Sequence, residues 1–231
     1  FNALEVIPGV SLRYVKNVNE LKNPDMIILP GTKNTMEDLL WLRQNGLEAA
    51  VLKKAAEGKV IFGICGGYQM LGETLSDPEH VEAGGEIKGM GLLPMHTVFK
   101  ESKTRTRVQG RFPKVEGILH TLMGVQLEGY EIHMGESTLS QGAESLTEIT
   151  DMVKQESKMD GAYCKNVYGS YVHGIFDKED VAKKVVEGLG EQKGIDVSNM
   201  AGVNFAEFKE TQYDKLAEGL RKHLDMKKIY E

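Results

Sequence analysis

Apolar and polar positions follow two different periods along the first third of the chain. Residues 10–15 (VSLRYV) alternate with period two and predict a strand. Met26–Leu29 (MIIL) is a continuous apolar run closed by Pro30-Gly31, the pattern of a buried strand. Thr35-Met36-Glu37-Asp38 has the [ST]-x-x-[DE] form of a capping box ahead of Leu39, Leu40 and Leu42, and the helix it predicts stops at Asn45-Gly46. Leu47, Ala50, Val51 and Ala55 recur at helical spacing up to Gly58. Residues 59–64 (KVIFGI) form another short apolar strand, and residues 69–75 are predicted helical. Strands alternating with helices imply a parallel sheet covered on both faces.

The middle of the chain changes character. Between residues 89 and 135, short alternating runs are broken by many glycines; residues 104–108 (TRTRV) and 129–134 are two of them. They predict antiparallel strands and hairpins at the edge of the sheet. Residues 136–160 are polar and predict loop. Residues 167–172 (VYGSYV) read as a further strand. In the tail, Val181, Val185, Val186 and Leu189 share one helix face, and Phe205, Phe208, Tyr213, Leu216, Leu220 and Leu224 mark a second amphipathic region.

Composition narrows the class. The 231 residues are 41% apolar, enough for one large core, and 28 basic against 34 acidic side chains leave a formal charge of −6. An acidic balance argues against a nucleic-acid footprint. No run approaches the roughly 20 apolar residues of a membrane span. The opening FNALEVIPGV has no initiator Met, no basic region and no apolar signal core, and reads as a domain cut from a longer chain. Two cysteines, Cys65 and Cys164, are too few for a disulfide framework or a Cys-rich zinc site, which suggests a reducing cytoplasm and no metal.

The strongest chemical signal is Gly63-Ile64-Cys65-Gly66-Gly67-Tyr68-Gln69. An apolar strand runs into G-x-C-G-G and a helical pattern follows, which is a nucleophile elbow with cysteine in the place of serine. The nucleophile of such a turn sits on a tight, strained bend, so its neighbours must lack Cβ. The turn lifts the side chain to the carboxyl edge of the sheet, where open α/β sheets place their sites. The following helix start is expected to favour thiolate and lower the thiol pKa, and the Gly66 N–H to serve as an oxyanion donor. Cys164 has no such setting and reads as a packed, inert thiol.

A thiol nucleophile needs a base, and the chain has six histidines. His80, His96, His120 and His223 stand in loop, edge or tail contexts. His133 and His173 each stand at a strand end. His173 ends an apolar strand and is followed by a loop and a helix, as in another β–α unit, so it is preferred to His133.

These segments resemble a known family. GICGGYQMLG is similar to the cysteine signature of triad-type (class I) glutamine amidotransferases. MIILPGTKNT, GYEIHMG and YVHGIFD together resemble one branch of it, the C-terminal glutaminase domain of cobyric acid synthase. The resemblance covers essentially the whole chain. It implies a flavodoxin-like α/β domain, a parallel sheet with helices on both faces and an antiparallel β extension, spanning residues 1–231. It implies that Cys65 attacks the amide of glutamine, that His173 moves the proton, and that the N–H groups of Gly31 and Gly66 form the oxyanion hole. Gln69 matches the position that helps hold the glutamine. The ammonia would be used by an N-terminal ATP-dependent synthetase domain, absent from this chain, which amidates corrin side-chain carboxylates in cobalamin biosynthesis. ATP and Mg belong to that domain, and corrin is met only through it. No P-loop of the G-x-x-x-x-G-K-[ST] form occurs here, so no cofactor is expected in this part.

One position departs from the usual triad. The residue two after the histidine is Ile175 rather than an acid. The site therefore reads as a Cys–His dyad, with Glu131 or Asp177 as candidates to orient the imidazole. The basic run Lys100, Lys103, Arg105, Arg107, Arg111 and Lys114 reads as a solvated edge strand or a docking face for the synthetase domain. Two other functions fit parts of the pattern: the glutaminase partner of another amide-forming ligase, such as a cell-wall lipid amidase, and a non-catalytic interaction module. The intact elbow with Gln69 argues against the module.

Overall fold

A computed structural model describes residues 1–197, 205–225 and 228–229; the side chains of residues 205–209, and with them Phe205 and Phe208, lie outside the described residues. Seven α-helices are present among the described residues: α1 (Asn2–Glu5), α2 (Val18–Leu21), α3 (Thr35–Gln44), α4 (Leu47–Ala56), α5 (Gly66–Met70), α6 (Glu179–Lys193) and α7 (Phe205–His223). The strands are β1 (Met26–Leu29), β2 (Val60–Ile64), β3 (Thr74–Asp77), β4 (Gly85–Lys88), β5 (Met95–Arg111), β6 (Gln126–Leu139), β7 (Thr147–Asp151), β8 (Ser157–Asp160), β9 (Ala162–Cys164) and β10 (Val167–Ser170).

Local chemistry accounts for the elements that carry the site. All five residues of β2 are buried, as a central strand covered on both faces demands. The N-cap of α3 is Asn34, one residue before the expected Thr35; its side chain accepts the Glu37 N–H at 3.1 Å. Gly46, in a left-handed conformation (φ 73°), turns the chain from α3 into α4.

The first sheet has the order β1-β2-β10-β9, with β1, β2 and β10 parallel and β9 antiparallel to β10. Phe62 on β2 packs edge-on to Phe176 at 4.9 Å and beside Tyr168 on β10 at 6.5 Å. Buried Val181, Ala182 and Val185 of α6 join the same core.

The antiparallel part is not an edge of this sheet. It is a second, six-stranded sheet, ordered β4-β3-β5-β7-β8 with β6 also on β5. Strand β5 is flanked on its second side by β3 over residues 96–98 and by β7 over 108–111, whereas residues 104–107 pair with β6 alone, so the middle of the basic run lies on an open edge; Arg111 and Lys114 engage Glu148 and Glu144. Residues 136–160 are not a loop: β6 continues to Leu139, and β7 and β8 follow. Their inward positions, Thr147 and Ile149, are buried while their neighbours are less so, and such short half-polar strands carry little apolar signal. The helix expected over 69–75 is α5, which ends at Met70 and gives way to β3. Residues 10–15 form no strand, and no strand among the described residues lies beside them to pair with. On α7, Tyr213, Leu216 and Leu220 are exposed, as is Leu224 just after it.

The two sheets meet where the site lies. His173 N–H donates to Tyr130 O at 2.8 Å and Tyr130 N–H returns to His173 O at 3.1 Å, clamping the loop after β10 onto β6.

Candidate active site

Cys65 sits between β2 and α5 with φ 50° and ψ −111°, a conformation rarely adopted by residues with a Cβ and costing about 1–3 kcal/mol. Three glycines make the turn possible. A Cβ on Gly63 would stand 2.5 Å from Tyr68 Cα, one on Gly67 2.1 Å from Leu29 O, and one on Gly66 2.5 Å from Thr32 Oγ1. The first two contacts are with backbone and cannot yield. Cys65 N–H donates to Ser170 O at 2.9 Å and Gly67 N–H to Pro30 O at 3.1 Å, tying the elbow to both neighbouring chain segments.

His173 is brought to the cysteine. The point where a Gly31 Cβ would lie is 2.7 Å from His173 Cε1 and 3.5 Å from Cys65 Cβ, so both groups crowd the same glycine. Tyr130 stacks on the imidazole, 5.1 Å between centroids and 7° from parallel. The His173 Nε2 is buried and has no hydrogen-bond partner. His133 is held elsewhere: its ring stacks on Tyr171 at 3.8 Å, Nδ1 contacts Gly135 O at 2.8 Å, and Nε2 contacts Glu131 Oε1 at 3.3 Å.

The electrostatics reverse one expectation. Burial pushes the Cys65 thiol up to about 11; the Gly66 N–H aimed at it pulls the other way, and the carboxylates of Glu82, Asp160 and Glu131 add to the rise. The helix start was expected to lower the thiol, but α5 is only five residues long and its effect is outweighed by desolvation. Burial, followed by the charge of His133, lowers His173. The resting pair is therefore a neutral thiol beside a neutral imidazole.

The two orienting candidates do not reach His173. Glu131, 1% exposed, accepts from Lys158 Nζ at 2.8 Å and meets His133. Asp177 stands beside Gly174, and its N–H donates to Gly174 O at 2.8 Å. Among the described residues no acid is hydrogen-bonded to the imidazole; the Glu131 carboxylate is engaged by Lys158 and His133. Gln69 is buried: its Oε1 accepts from Thr35 Oγ1 at 2.9 Å and its Nε2 donates to Tyr171 Oη at 3.3 Å. The N–H groups of Gly31 and Gly66 make no backbone–backbone hydrogen bond and remain available as donors.

Sequence reasoning missed Thr32, Thr35, Glu82, Tyr130 and Tyr171. Thr32 Oγ1 is buried without a partner beside Gly66. Glu82 accepts the Met36 N–H at 3.1 Å near the thiol. Thr32, Thr35, Tyr130 and Tyr171 lie inside the segments PGTKNT, GYEIHMG and YVHGIFD, where their types could have been noticed; Glu82 carried no signal.

Residues 1–181 match the CobB/CobQ-like glutamine amidotransferase domain. The chain is 51% identical over 233 residues to the cobyric acid synthase of Ruminiclostridium cellulolyticum, and 50% identical over 242 residues to that of Lachnoclostridium phytofermentans. All of this chain is covered in both cases, but 45% and 47% of those proteins, so the chain spans about half the length of the curated relatives it matches. Two solved structures share the fold at 18% identity. One is a glutamine amidotransferase, with a TM-score of 0.54 over 84% of this chain and 92% of that one. The other is PurLQS from Thermotoga maritima, with a TM-score of 0.60 over 83% and 90%. The family match runs through the cysteine turn, the second sheet and the histidine loop alike, and the chain belongs to the CobB/CobQ-like glutamine amidotransferase domain family.

Proposed function

We propose that this chain is the glutaminase part of a cobyric acid synthase and that Cys65 and His173 perform its chemistry. The observation that carries the reading is a cysteine on a strained positive-φ turn beside an imidazole whose Nε2 is buried without a hydrogen-bond partner. Cys65 Sγ attacks the amide carbon of glutamine as His173 takes the thiol proton. The carbonyl oxygen becomes an oxyanion received by the N–H groups of Gly66 and Gly31. Collapse breaks the C–N bond, the imidazolium gives its proton to the leaving nitrogen, and ammonia departs. Water, deprotonated by His173, then hydrolyses the thioester to glutamate and restores the thiol. Gln69 acts on the glutamine pocket through Thr35 and Tyr171.

The ammonia serves an ATP- and Mg-dependent synthetase part of the longer protein, which amidates corrin carboxylates; corrin and nucleotide bind there, not here. The whole-chain likeness to cobyric acid synthases favours this ligase over a cell-wall lipid amidase. With a raised thiol and no acid behind His173, the unassisted glutaminase is slow, and contact with the synthetase part speeds it. In the longer protein, Cys65→Ala and His173→Ala each abolish glutamine-dependent amidation and leave ammonia-dependent amidation intact. Loss of both activities, or of neither, would reject the assignment.

A further inference from the structure

Asp160 is an acid that the proposed chemistry does not use. It ends β8, is 6% exposed, and its charge reaches the Cys65 thiol. Among the described residues it forms no ion pair; Lys158, on the same strand, engages Glu131 instead. The carboxylate is satisfied by hydrogen bonds alone. Ser170 Oγ donates to its Oδ2 at 2.6 Å, Thr147 Oγ1 donates to the same oxygen at 3.2 Å, and the Tyr171 N–H also donates to the carboxylate. A separation of 2.6 Å is that of a charge-assisted bond from hydroxyl to carboxylate. Gly161 permits the approach: it turns the chain with φ 69°, and a Cβ there would stand 2.3 Å from Gly169 O and 3.1 Å from Ser170 Cα.

Ser170 is where the two reacting segments join. It is the last residue of β10 and is fully buried. Its carbonyl accepts the Cys65 N–H at 2.9 Å, and its Oγ accepts the Val172 N–H at 3.0 Å. The pairing of β9 with β10 stops at Gly169, so on that side the sheet no longer holds the chain. The hydroxyl takes over. Its hydrogen is committed to Asp160, which leaves its lone pairs for the Val172 N–H, the i→i+2 bond of a serine turn. That turn bends the chain off β10 toward β6, where Tyr130 O accepts the His173 N–H.

We propose that Ser170, held by the Asp160 carboxylate, is a positioning residue that sets His173 against Cys65. Being fully buried, it acts through the backbone of the residues it joins rather than on substrate. The inference rests on the Cys65–His173 reading above and identifies what fixes the imidazole where no acid is bonded to it. Tyr130 sets the plane of the ring by stacking, and Ser170 sets the turn that delivers it. A buried polar pair that merely filled the core would alter stability and leave the turnover of folded enzyme unchanged.

Steady-state glutamine hydrolysis by the full-length protein tests this, each variant being assayed below its own thermal unfolding. Ser170→Ala removes the hydroxyl and keeps the carbonyl that holds Cys65. Its kcat should fall at least tenfold, since a misplacement of about 1 Å can cost about 10²-fold, while KM for glutamine stays within about twofold. Alkylation of Cys65 by iodoacetamide should stay within about twofold, because the elbow is untouched. Ser170→Thr keeps the hydroxyl and should recover most of the lost kcat. Asp160 and Ser170 act as one unit, so the double variant Asp160→Ala/Ser170→Ala should fall no further than the slower single variant. A smaller fall in Ser170→Ala, a rise in KM in its place, loss of Cys65 alkylation alongside it, no recovery in Ser170→Thr, or losses that multiply in the double variant would each overturn the inference. Inactive His173→Ala in the same assay would then leave the Cys65–His173 reading intact, whereas active His173→Ala would remove that reading and this inference with it.

Discussion

Replacing Gly31 with alanine perturbs the one contact on which the site depends. The new Cβ would lie 2.7 Å from His173 Cε1 and 3.5 Å from both His173 Nδ1 and Cys65 Cβ. Carbon atoms rest at about 3.5–4.0 Å, so the imidazole must retreat by roughly 1 Å. The N–H of residue 31 is retained, and with it the proposed oxyanion donor; Gly31 is not in a left-handed conformation, so backbone strain does not enter. A misplacement of about 1 Å can cost about 10²-fold in rate, equivalent to about 2.7 kcal/mol of barrier. Glutamine hydrolysis by Gly31→Ala, followed as glutamate release, is expected to fall roughly 100-fold. Overpacking of about 1–3 kcal/mol lowers the thermal midpoint by several degrees only, which circular dichroism separates from unfolding. In the longer protein ammonia-dependent amidation is unchanged. A variant that hydrolyses glutamine within about threefold of the parent would refute the placement of His173 as the proton carrier.

Without glutamine, alkylation of Cys65 by iodoacetamide should rise about tenfold per pH unit through pH 9–10, because the thiol ionises near 11 rather than at its ordinary 9.0; a plateau below pH 8 would mean a preformed thiolate. Between those values the unfolded chain loses the thiol proton first, so stability falls as pH rises through that window, which denaturant titrations at fixed pH would register. Gly67→Ala drives a Cβ to 2.1 Å from Leu29 O, a backbone atom with no way to swing aside, and should cost about 3 kcal/mol or more, roughly 6–12 °C in Tm. Glu131→Gln weakens the contacts to Lys158 and His133 and should cost about 1–3 kcal/mol, seen in urea unfolding; it also removes one of the carboxylate charges that raise the Cys65 thiol, so the pH dependence of Cys65 alkylation should move toward lower pH.

Parts of this molecule can be read from residue types because the backbone permits nothing else. The elbow is legible from Gly63, Gly66 and Gly67, each of which faces another atom where a Cβ would go. Strand β2 is legible because every residue is buried, and His173 is separable from His133 because it follows a parallel strand, whereas His133 lies inside β6 and not at a strand end as expected. The second sheet is less legible: β7 (TEITD) and β8 (SKMD) bury only alternate or single residues, and β5, which β7 joins on its other side, comes from well before it in sequence. The rise of the thiol pKa is illegible in the sequence for a similar reason. A helix start after Cys65 is local and visible, whereas Glu82, Glu131 and Asp160 reach the sulfur only through the fold. Residues 10–15 show the opposite failure: a strand pattern forms no strand, and no described strand lies beside it.

The central claim is that Cys65 attacks the side-chain amide carbon of glutamine. Treatment with 6-diazo-5-oxo-norleucine, followed by peptide mass spectrometry, tests it directly. A single adduct on Cys65 that glutamine suppresses, with Cys164 unmodified, is the predicted result. Labelling of both cysteines alike, or labelling of Cys65 that glutamine leaves unaffected, would contradict it.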